Sequence, residues 1–379
     1  MGHGVASASA LTPPDILDPM SVRNEFHDLF VGTYTERLPH VDGQAPGIMR
    51  ARWTGDGGPG EATLATVLRN PSWVTIFKNV LYAVSETRSD NGEGDVCAYH
   101  IDEESHRLVL LGMQPSGGGD PAHLAVSPDG RYLAVANYSG GSVALFALDE
   151  GTGRIGERLD VVQHEGSGTD PSRQEAPHPH MVAFDPQRQD LYVPDLGLDA
   201  VLVYRVDEGR LVPKGRIDCP AGTGPRHLAF HPSGDVFFLV GELGNTLSTF
   251  RRAESGFVPV NSVPLLPQAE LDQGTESSAA AVRVHSSGTL VFASNRGHDS
   301  VSIFRYGTGD ALELVGCIPT QGQQPRDIAF TPDEQHLLVA HQNSGSVAVF
   351  AVDTRAEGEK MLSYVRNYQV PTPVCLAWS

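Results

Sequence analysis

The sequence predicts an all-β fold, a seven-bladed β-propeller with four antiparallel strands in each blade and a ring closed by pairing the C-terminal strand with the N-terminal blade. Three observations predict this fold. A segment recurs about every 50 residues, each copy alternates as β-strands do, and the two chain ends supply complementary parts of one further copy. The length of 379 residues is therefore read as one repeat-built domain rather than as two or three separate ones.

The repeat is clearest at residues 121–137, which read PAHLAVSPDGRYLAVAN. Further copies occupy residues 179–195, 225–241 and 325–341, a variant without the leading proline occupies 279–295, a looser copy begins at Pro71, and residues 372–378 supply only the opening strand. Repeats of this length that contain several short strands are typical of propeller blades.

Each copy contains strands separated by turn residues. In the copy that begins at Pro121, residues 124–126 and 132–136 form the first two strands, and the Pro-Asp-Gly sequence at 128–130 forms the turn between them. A third strand follows at 142–148, and a fourth follows a variable loop, as at 211–217. The 41 glycines and 27 prolines fit this density of turns, and the lack of a sustained 3.6-residue period predicts few helices.

The chain ends complete the ring. Residues 29–34 resemble the second strand of a blade but have no first strand before them, whereas residues 373–378 are a first strand without a second. Pairing the two gives a composite blade and leaves no sheet edge exposed. We therefore predict a mobile tail at residues 1–25 and a single propeller domain at 26–379.

Composition excludes several classes of function. The net charge of −19 argues against nucleic-acid and anionic membrane partners, and no apolar run approaches the roughly 20 residues that span a bilayer. The N-terminal segment has neither the basic nor the apolar region of a signal peptide. The four cysteines form no C-x-x-C pair, so we expect reduced, mostly buried thiols in a cytoplasmic protein.

Candidate site residues follow from blade geometry. The residue that begins the first strand and the residue that ends the second lie at the same rim of the central channel. The position after the anchor proline reads Ser72, Ala122, His180, Arg226, Ala280, Arg326 and Val374 around the ring. The two positions at the end of the second strand include Glu86, Asn137, Tyr138, Asp195, Leu196, Gly241, Glu242, Asn295, Arg296, His341 and Gln342. A rim this rich in ionisable groups is typical of a polar pocket.

Four of these residues are predicted to be catalytic. Arg226 and Arg296 offer planar forks suited to carboxylate or phosphate, and His180 and Glu242 offer proton-transfer groups. Further substrate-binding candidates are Arg173, Gln174, His178, Asp195, Glu86, Asn295, Arg326 and His341. The first three lie on the long irregular loop at 164–180, and long loops in compact domains are often functional.

Structural alternatives exist for several candidates. Arg326 could pair with Asp333 or another loop acid, and Asp195 could cap a turn through backbone amides. A structural role is expected for His123, His227 and His231. Because no third or fourth ligand accompanies His178 and His180, we predict no metal site.

Several segments carry a family resemblance: residues 166–180, with their Ser-Arg-Gln and Pro-His-Pro-His sequences, 195–199, 224–232, 241–245 and 294–297. They resemble the seven-bladed lactonase family, which includes bacterial 6-phosphogluconolactonases and fungal 3-carboxy-cis,cis-muconate cyclases. The likeness covers about residues 28–378. It implies a lactone enzyme without an organic cofactor, whose active-site groups correspond to His180, Glu242, Arg226 and Arg296.

The leading hypothesis is hydrolysis of a small anionic sugar lactone such as 6-phosphogluconolactone. His180, assisted by Glu242, would deprotonate water, while one of Arg226 and Arg296 stabilises the oxyanion and the other holds the anionic tail. Replacing Arg226 or His180 by alanine is expected to lower turnover at least 100-fold with little change in melting temperature.

Two alternatives remain open at this point. A carboxymuconate-type cycloisomerase would need the same anion site and acid–base pair. A non-catalytic interaction propeller is the other, although the Trp-Asp and Gly-His signatures of scaffold repeats are absent. The sequence does not predict the oligomeric state.

Overall fold

A computed structural model describes residues 1, 27–54, 58–102, 104–105 and 107–379. The predicted N-terminal tail, apart from Met1, lies outside the described residues. The described strands form six four-stranded antiparallel sheets, one composite sheet that contains both ends of the propeller, and a small two-stranded sheet of Arg37–Leu38 and Val41–Asp42. The prediction of a seven-bladed propeller with four strands per blade is confirmed.

The first strands in chain order are β1 (His27–Thr33), β2 (Arg37–Leu38), β3 (Val41–Asp42), β4 (Ile48–Thr54), β5 (Gly58–Pro59) and β6 (Thr63–Thr66). Blades 2 and 3 consist of β7 (Val74–Phe77), β8 (Val80–Ser85), β9 (Asp95–Ile101), β10 (Leu108–Pro115), β11 (Pro121–Val126), β12 (Tyr132–Asn137), β13 (Ser142–Leu148) and β14 (Ile155–Gln163). Blades 4 and 5 consist of β15 (Ala183–Phe184), β16 (Asp190–Asp195), β17 (Ala200–Asp207), β18 (Arg210–Asp218), β19 (Pro225–Phe230), β20 (Val236–Gly241), β21 (Thr246–Ala253) and β22 (Gly256–Pro264). Blades 6 and 7 and the last strand consist of β23 (Ser278–Val284), β24 (Leu290–Arg296), β25 (Ser300–Tyr306), β26 (Leu312–Pro319), β27 (Pro325–Phe330), β28 (His336–His341), β29 (Ser346–Val352), β30 (Leu362–Gln369) and β31 (Pro373–Trp378).

Helical structure is sparse, as the sequence predicts. The described residues contain one short α-helix, α1 (Gln268–Asp272), and 3-10 turns at Leu196–Leu198, Thr308–Asp310 and Gly358–Met361. No helix in the described part of the chain is long and apolar enough to cross a membrane.

The ring closes by the predicted pairing. β31 pairs antiparallel with β1, so that Leu29 lies opposite Trp378 and Val31 opposite Leu376. β1 pairs on its other side with β4, which completes the composite blade. Leu29, Val31 and Leu376 pack in one buried cluster, so the closing strand contributes to the core as well as to the hydrogen-bond ladder.

The core lies between neighbouring blades. Phe292 of blade 6 packs with Val339 and Phe350 of blade 7 in one buried cluster. The inner strands are therefore covered on both faces and read as nearly continuous apolar runs. Full burial of such a side chain stabilises the fold by about 1.5–3 kcal/mol.

A β-bulge follows the anchor proline in several blades. Pro225 pairs with Gly241 but His227 pairs with Val240, so Arg226 between them has no partner in the ladder. The same irregularity occurs between Pro325 and Asp327, where it leaves Arg326 unpaired. A bulge redirects the side chain of the extra residue. It is this local irregularity that brings the position after the proline to the channel.

Candidate active site

Two cavities share walls at the rim of the channel. The larger, of about 720 Å³, is lined by Glu36, Leu38, Pro39, His40, Arg69, Glu86, Thr87, Arg88, Asp120, Ala122, Tyr138, Ser139, Arg173, His180, Glu242, Ser278, Arg296 and Arg326. The smaller, of about 10 Å³, is lined by Ser72, Trp73, Glu86, Ala122, His180, Arg226, His227, Arg326 and Val374. The smaller volume is about that of one water molecule. Its walls include most of the residues that follow an anchor proline.

Glu242, directly after β20, is surrounded by three guanidinium groups. Its Oε2 lies 2.9 Å from Arg226 Nε and 2.9 Å from Arg296 Nη2, and its Oε1 accepts a hydrogen bond of 2.6 Å from Arg173 Nη2. Burial by itself raises the pKa of the Glu242 carboxyl, but the charges of Arg296 and Arg226 outweigh burial and hold the pKa well below its usual range. Glu242 is therefore a fixed anion.

Arg226 lies behind Glu242 and faces only the smaller cavity. Its side chain is 2% exposed, and Nη1 donates to the Ala280 carbonyl at 2.5 Å. Burial, together with the charges of Arg296 and Arg326, lowers the pKa of Arg226 to about 9, so the group remains cationic at neutral pH. Arg296 in contrast lines the larger cavity.

His180 is the imidazole shared by both cavities. Burial, reinforced by the charge of Arg226, lowers its pKa well below the usual value, so the ring is neutral at pH 7. Its Nδ1 is buried without a hydrogen-bond partner among the described residues. The ring meets Tyr138 edge-on, with centroids 5.4 Å apart.

A column of aromatic rings continues from His180 along the channel. His227 lies edge-on to His180 at 5.2 Å and to His123 at 5.6 Å, and Trp73 lies over His123 with centroids 4.0 Å apart. Burial, reinforced by nearby arginine charges, lowers the pKa of His123 and His227 well below the usual value. Both rings are neutral packing elements that support His180 from beneath.

Glu86, at the end of β8, has a different environment from Glu242. Tyr34 donates its hydroxyl to the Glu86 carboxyl at 2.9 and 3.0 Å. Arg326 donates to the Tyr34 oxygen at 3.3 Å through Nη2 and to Gln342 at 3.2 Å through Nη1. Burial raises the pKa of Glu86, and the charge of Arg326 offsets this only in part.

The four residues predicted to be catalytic lie together around these cavities. Of the eight predicted substrate-binding residues, three line the larger cavity: Arg173, Glu86 and Arg326. The other five lie outside its lining: Gln174, His178, Asp195, Asn295 and His341. Arg326 contacts Tyr34 and Gln342 and forms no ion pair with Asp333 among the described residues.

Gln174 and Asp195 organise the 164–180 loop rather than face the cavity. Gln174 donates to the Leu196 carbonyl at 2.8 Å. Asp195 accepts from the backbone amides of His178 at 2.7 Å and Gly197 at 3.0 Å, and its Oδ2 lies 2.6 Å from His164 Nδ1. Asp195 thus has the turn-capping role that the sequence offered as an alternative. Its contacts fix the segment that carries His180.

The remaining three candidates also have structural contacts. His178 stacks on Tyr138 with ring centroids 4.6 Å apart. Asn295 donates to Ser300 at 2.9 Å and Ser302 at 2.8 Å. His341 is completely buried. Strand alternation explains their orientation, because Asn295 and His341 precede the cavity-facing position by one residue and so point to the opposite face.

Several residues in or beside the cavities were not selected from the sequence. Tyr34 lines neither cavity but contacts Glu86 and Arg326. It directly follows the second strand of the composite blade, as Glu86 and Glu242 do in theirs, so extending the repeat to that blade identifies it. His40, Arg69 and Arg88 lie between the named blade strands, where loop length varies and no repeat position marks them. Asp120 directly precedes the anchor Pro121, and that offset is the signal that identifies it. In the described part of the chain, no group of three or more His, Cys, Asp or Glu side chains is arranged to hold a metal ion.

Comparisons with known proteins agree with this architecture. A family model described as "Lactonase, 7-bladed beta-propeller" matches residues 28–378. A 6-phosphogluconolactonase of Bacillus subtilis is 31% identical over 353 residues, which cover 92% of this chain and 97% of the relative. A 6-phosphogluconolactonase of Formosa agariphila is 31% identical over 340 residues, covering 86% and 92%. The solved structure of a periplasmic gluconolactonase of Pseudomonas aeruginosa superposes with a TM-score of 0.82 at 28% identity, covering 93% of this chain and 99% of that one.

Proposed function

The chain belongs to the seven-bladed β-propeller lactonase family, and from that premise we propose that it hydrolyses a small anionic sugar lactone such as 6-phosphogluconolactone. One observation carries the proposal. A neutral, buried imidazole, His180, shares a cavity of about 720 Å³ with the guanidinium groups of Arg173, Arg296 and Arg326. A base beside several cations is what the attack of water on an anionic ester requires.

His180 is the group that takes a proton from the attacking water. Its depressed pKa keeps the ring unprotonated at neutral pH, so a lone pair is always available. The adjoining water-sized cavity, which His180 also lines, offers a site for that water. A positioned general base contributes about 10² to 10⁴ in rate.

The arginines divide the remaining work. Arg296 lines the larger cavity and is the proposed oxyanion donor, while Arg226 lies behind Glu242 and holds that carboxylate in place. Glu242 in turn fixes Arg296 and Arg173 at 2.9 and 2.6 Å. We assign Glu242 to this positioning role rather than to proton transfer, because three cations stabilise its ionised form. One well-placed oxyanion donor is worth about 3–4 kcal/mol of barrier.

The anionic group of the substrate has a separate set of partners. Arg69 and Arg88 line the cavity with exposed side chains, each paired with an acid: Arg69 with Glu36 at 2.9 Å and Arg88 with Asp120 at 2.5 Å. These pairs can exchange a carboxylate for a phosphate at small cost, because exposed ion pairs contribute little. This arrangement supports a phosphorylated substrate.

A substrate panel tests the proposal. Freshly generated 6-phosphogluconolactone is hydrolysed in the presence of 6-phosphogluconate dehydrogenase, with the spontaneous rate subtracted, beside gluconolactone and carboxymuconate. We expect faster turnover of the phosphorylated lactone. Turnover of carboxymuconate alone would favour the cycloisomerase, and activity on none of the three would favour an interaction propeller. The proposed cytoplasmic location is tested separately by cell fractionation, since one relative is described as periplasmic.

A further inference from the structure

Among the four acidic side chains that line the larger cavity, Glu242 and Glu86 have contrasting environments. Glu242 meets three guanidinium groups at 2.6–2.9 Å. Glu86 meets the hydroxyl of Tyr34, and within the described residues no arginine or lysine nitrogen lies within 4.0 Å of its carboxyl oxygens. When two carboxyl groups of one site differ in this way, the unpaired one is the group that carries a proton.

Glu86 is also placed to reach the same substrate as His180. The side chains of Glu86 and His180 line both the larger and the smaller cavity. Glu86 directly follows the second strand of blade 2, and Glu242 directly follows the second strand of blade 5. In a ring of seven blades these two positions lie nearly across the channel from each other. A lactone between them would present its carbonyl to Arg296 and its ring oxygen to Glu86.

We propose that Glu86 is the proton donor to the ring oxygen of the lactone, with Tyr34 and Arg326 as its positioning residues. The inference rests on the proposed lactone hydrolysis. Water adds its oxygen to the carbonyl carbon and gives a proton to His180. The bond between that carbon and the ring oxygen then breaks, its electron pair goes to the ring oxygen, and the Glu86 proton joins it. His180 releases its proton and Glu86 regains one through solvent, so a hydroxy acid is the net product.

Chemistry gives a reason for a second proton-transfer group. The ring oxygen of a sugar lactone leaves as an alkoxide, which is far more basic than an imidazole or a carboxylate, so departure is assisted when a proton is supplied in the transition state. Glu242 cannot supply it, because its arginine partners hold it ionised. Burial raises the pKa of Glu86 and the charge of Asp120 adds to the rise, while Arg326 and the hydroxyls of Ser72 and Tyr34 offset it only in part.

Tyr34 holds the donor in one orientation. Its hydroxyl lies 2.9 and 3.0 Å from the two oxygens of Glu86 and accepts the Arg326 hydrogen bond at 3.3 Å. Tyr34 is completely buried, and its ring lies under the Arg326 guanidinium at 5.6 Å. The hydrogen-bonded series Arg326–Tyr34–Glu86 therefore links three blades and leaves the carboxyl group of Glu86 little freedom to rotate.

The test compares Glu86→Gln with Glu93→Gln, the same change on the same blade at a residue outside the cavity lining whose carboxylate pairs with Arg158 at 2.9 Å. On a lactone that the wild type hydrolyses, Glu86→Gln should lower kcat about 100-fold or more and abolish the fall of kcat/KM at alkaline pH. Glu93→Gln should match the wild type. Tyr34→Phe should shift the alkaline fall to higher pH, because the carboxylate loses a hydrogen-bond donor.

Infrared spectroscopy supplies a readout that does not depend on activity. The carbonyl absorption of a protonated carboxyl should persist in the wild type to a pH above the usual range of a glutamate and be absent in Glu86→Gln. Three results would each overturn this inference and leave the proposed function intact. These are equal activity of Glu86→Gln and an active wild type, an unchanged alkaline fall of kcat/KM in that variant, and the absence of the infrared band from the wild type. A wild type that hydrolyses no lactone would instead refute the proposed function on which the inference rests.

Discussion

The Nε atom of Arg226 lies 2.9 Å from Oε2 of Glu242, and the two side chains are only 2% and 4% exposed. A buried pair of this kind costs desolvation free energy that its mutual attraction only partly returns. Its effect here is to fix one carboxylate among three guanidinium groups. The pair therefore determines both where the cations of the site stand and how stable the channel is.

The first prediction is that Glu242→Gln destabilises the protein more than Arg226→Met. Removing the carboxylate leaves Arg226, Arg296 and Arg173 close together without a counter-charge, and we expect the free energy of unfolding to fall by about 3–5 kcal/mol. Removing Arg226 leaves Glu242 with two arginine partners, so the loss should be smaller. Urea unfolding at pH 7 measures both.

An exposed pair provides the control for these variants. Arg205 and Asp207 lie 3.1 Å apart with 60% and 55% of their side chains exposed, so Arg205→Met should change stability by less than about 1 kcal/mol. A larger loss for Arg226→Met than for Glu242→Gln would mean that packing, not charge, dominates. In either case the burial of Arg226 revises the expectation from the sequence that its replacement leaves the melting temperature nearly intact.

The second prediction concerns rescue by an anion. In Glu242→Gln the three arginines lack their carboxylate, so inorganic phosphate should bind there and stabilise the variant according to its concentration relative to Kd. Phosphate should stabilise the wild type less, because the carboxylate of Glu242 already occupies the site. Thermal unfolding over a phosphate series, with chloride at matched ionic strength as the control, measures the difference. Equal shifts in the two proteins would show that phosphate binds elsewhere.

The third prediction is that His180→Gln lowers kcat at least 100-fold, because glutamine has no basic nitrogen to accept the proton. The binding of the product 6-phosphogluconate should be nearly unchanged. Because the pKa of His180 is lowered, the wild type should keep full kcat/KM as the pH falls through 6.5 and lose it only at lower pH. A wild-type profile that falls with a midpoint near 6.5 would contradict the assignment of His180 as the base.

The fourth prediction separates Arg296 from Arg226 in catalysis. Arg296 lines the larger cavity, so Arg296→Lys, which keeps the charge but loses the planar fork, should lower kcat about 10²- to 10³-fold. Arg226→Lys should alter kcat less, because Arg226 lines only the water-sized cavity and lies outside the lining of the larger cavity that receives the lactone. Steady-state kinetics on the lactone that the wild type turns over fastest measures both, and a greater effect at Arg226 would reverse the assignment.

The fold could be predicted because a propeller repeats its chemistry. Each anchor proline, turn and inner strand recurs at a similar spacing, and the unpaired strands at 29–34 and 373–378 indicate closure. The same repetition identified His180, Arg226, Glu242 and Arg296, because strand ends in every blade meet at one rim. The register of Arg226, which is the extra residue of a bulge, follows from counting from its proline, without knowledge of the bulge itself.

The remaining cavity residues and the orientation of some candidates depend on parts of the chain that do not recur from blade to blade. His40, Arg69 and Arg88 lie on connections of individual length, so no offset predicts them. Asn295 and His341 share a blade with cavity residues but point away from them, since adjacent strand residues face opposite sides. For the position after the anchor proline, it is the bulge that turns the side chain to the channel, and that is a property of the folded backbone rather than of composition.

The fifth prediction rests on the three neutral imidazoles of the channel, His123, His180 and His227, whose pKa values burial holds well below that of an unfolded histidine, about 6.5. Below pH 6.5 the unfolded chain takes up protons that the folded chain does not, so stability is full above that pH and falls as the pH decreases. Each histidine should approach a contribution of about 1.4 kcal/mol per pH unit. The free energy of unfolding, measured with urea between pH 7.5 and 5.5, should therefore change less per pH unit in His123→Phe than in the wild type. An equal pH dependence of the free energy of unfolding in His123→Phe and the wild type would mean that His123 takes up its proton in the folded protein as it does in the unfolded chain.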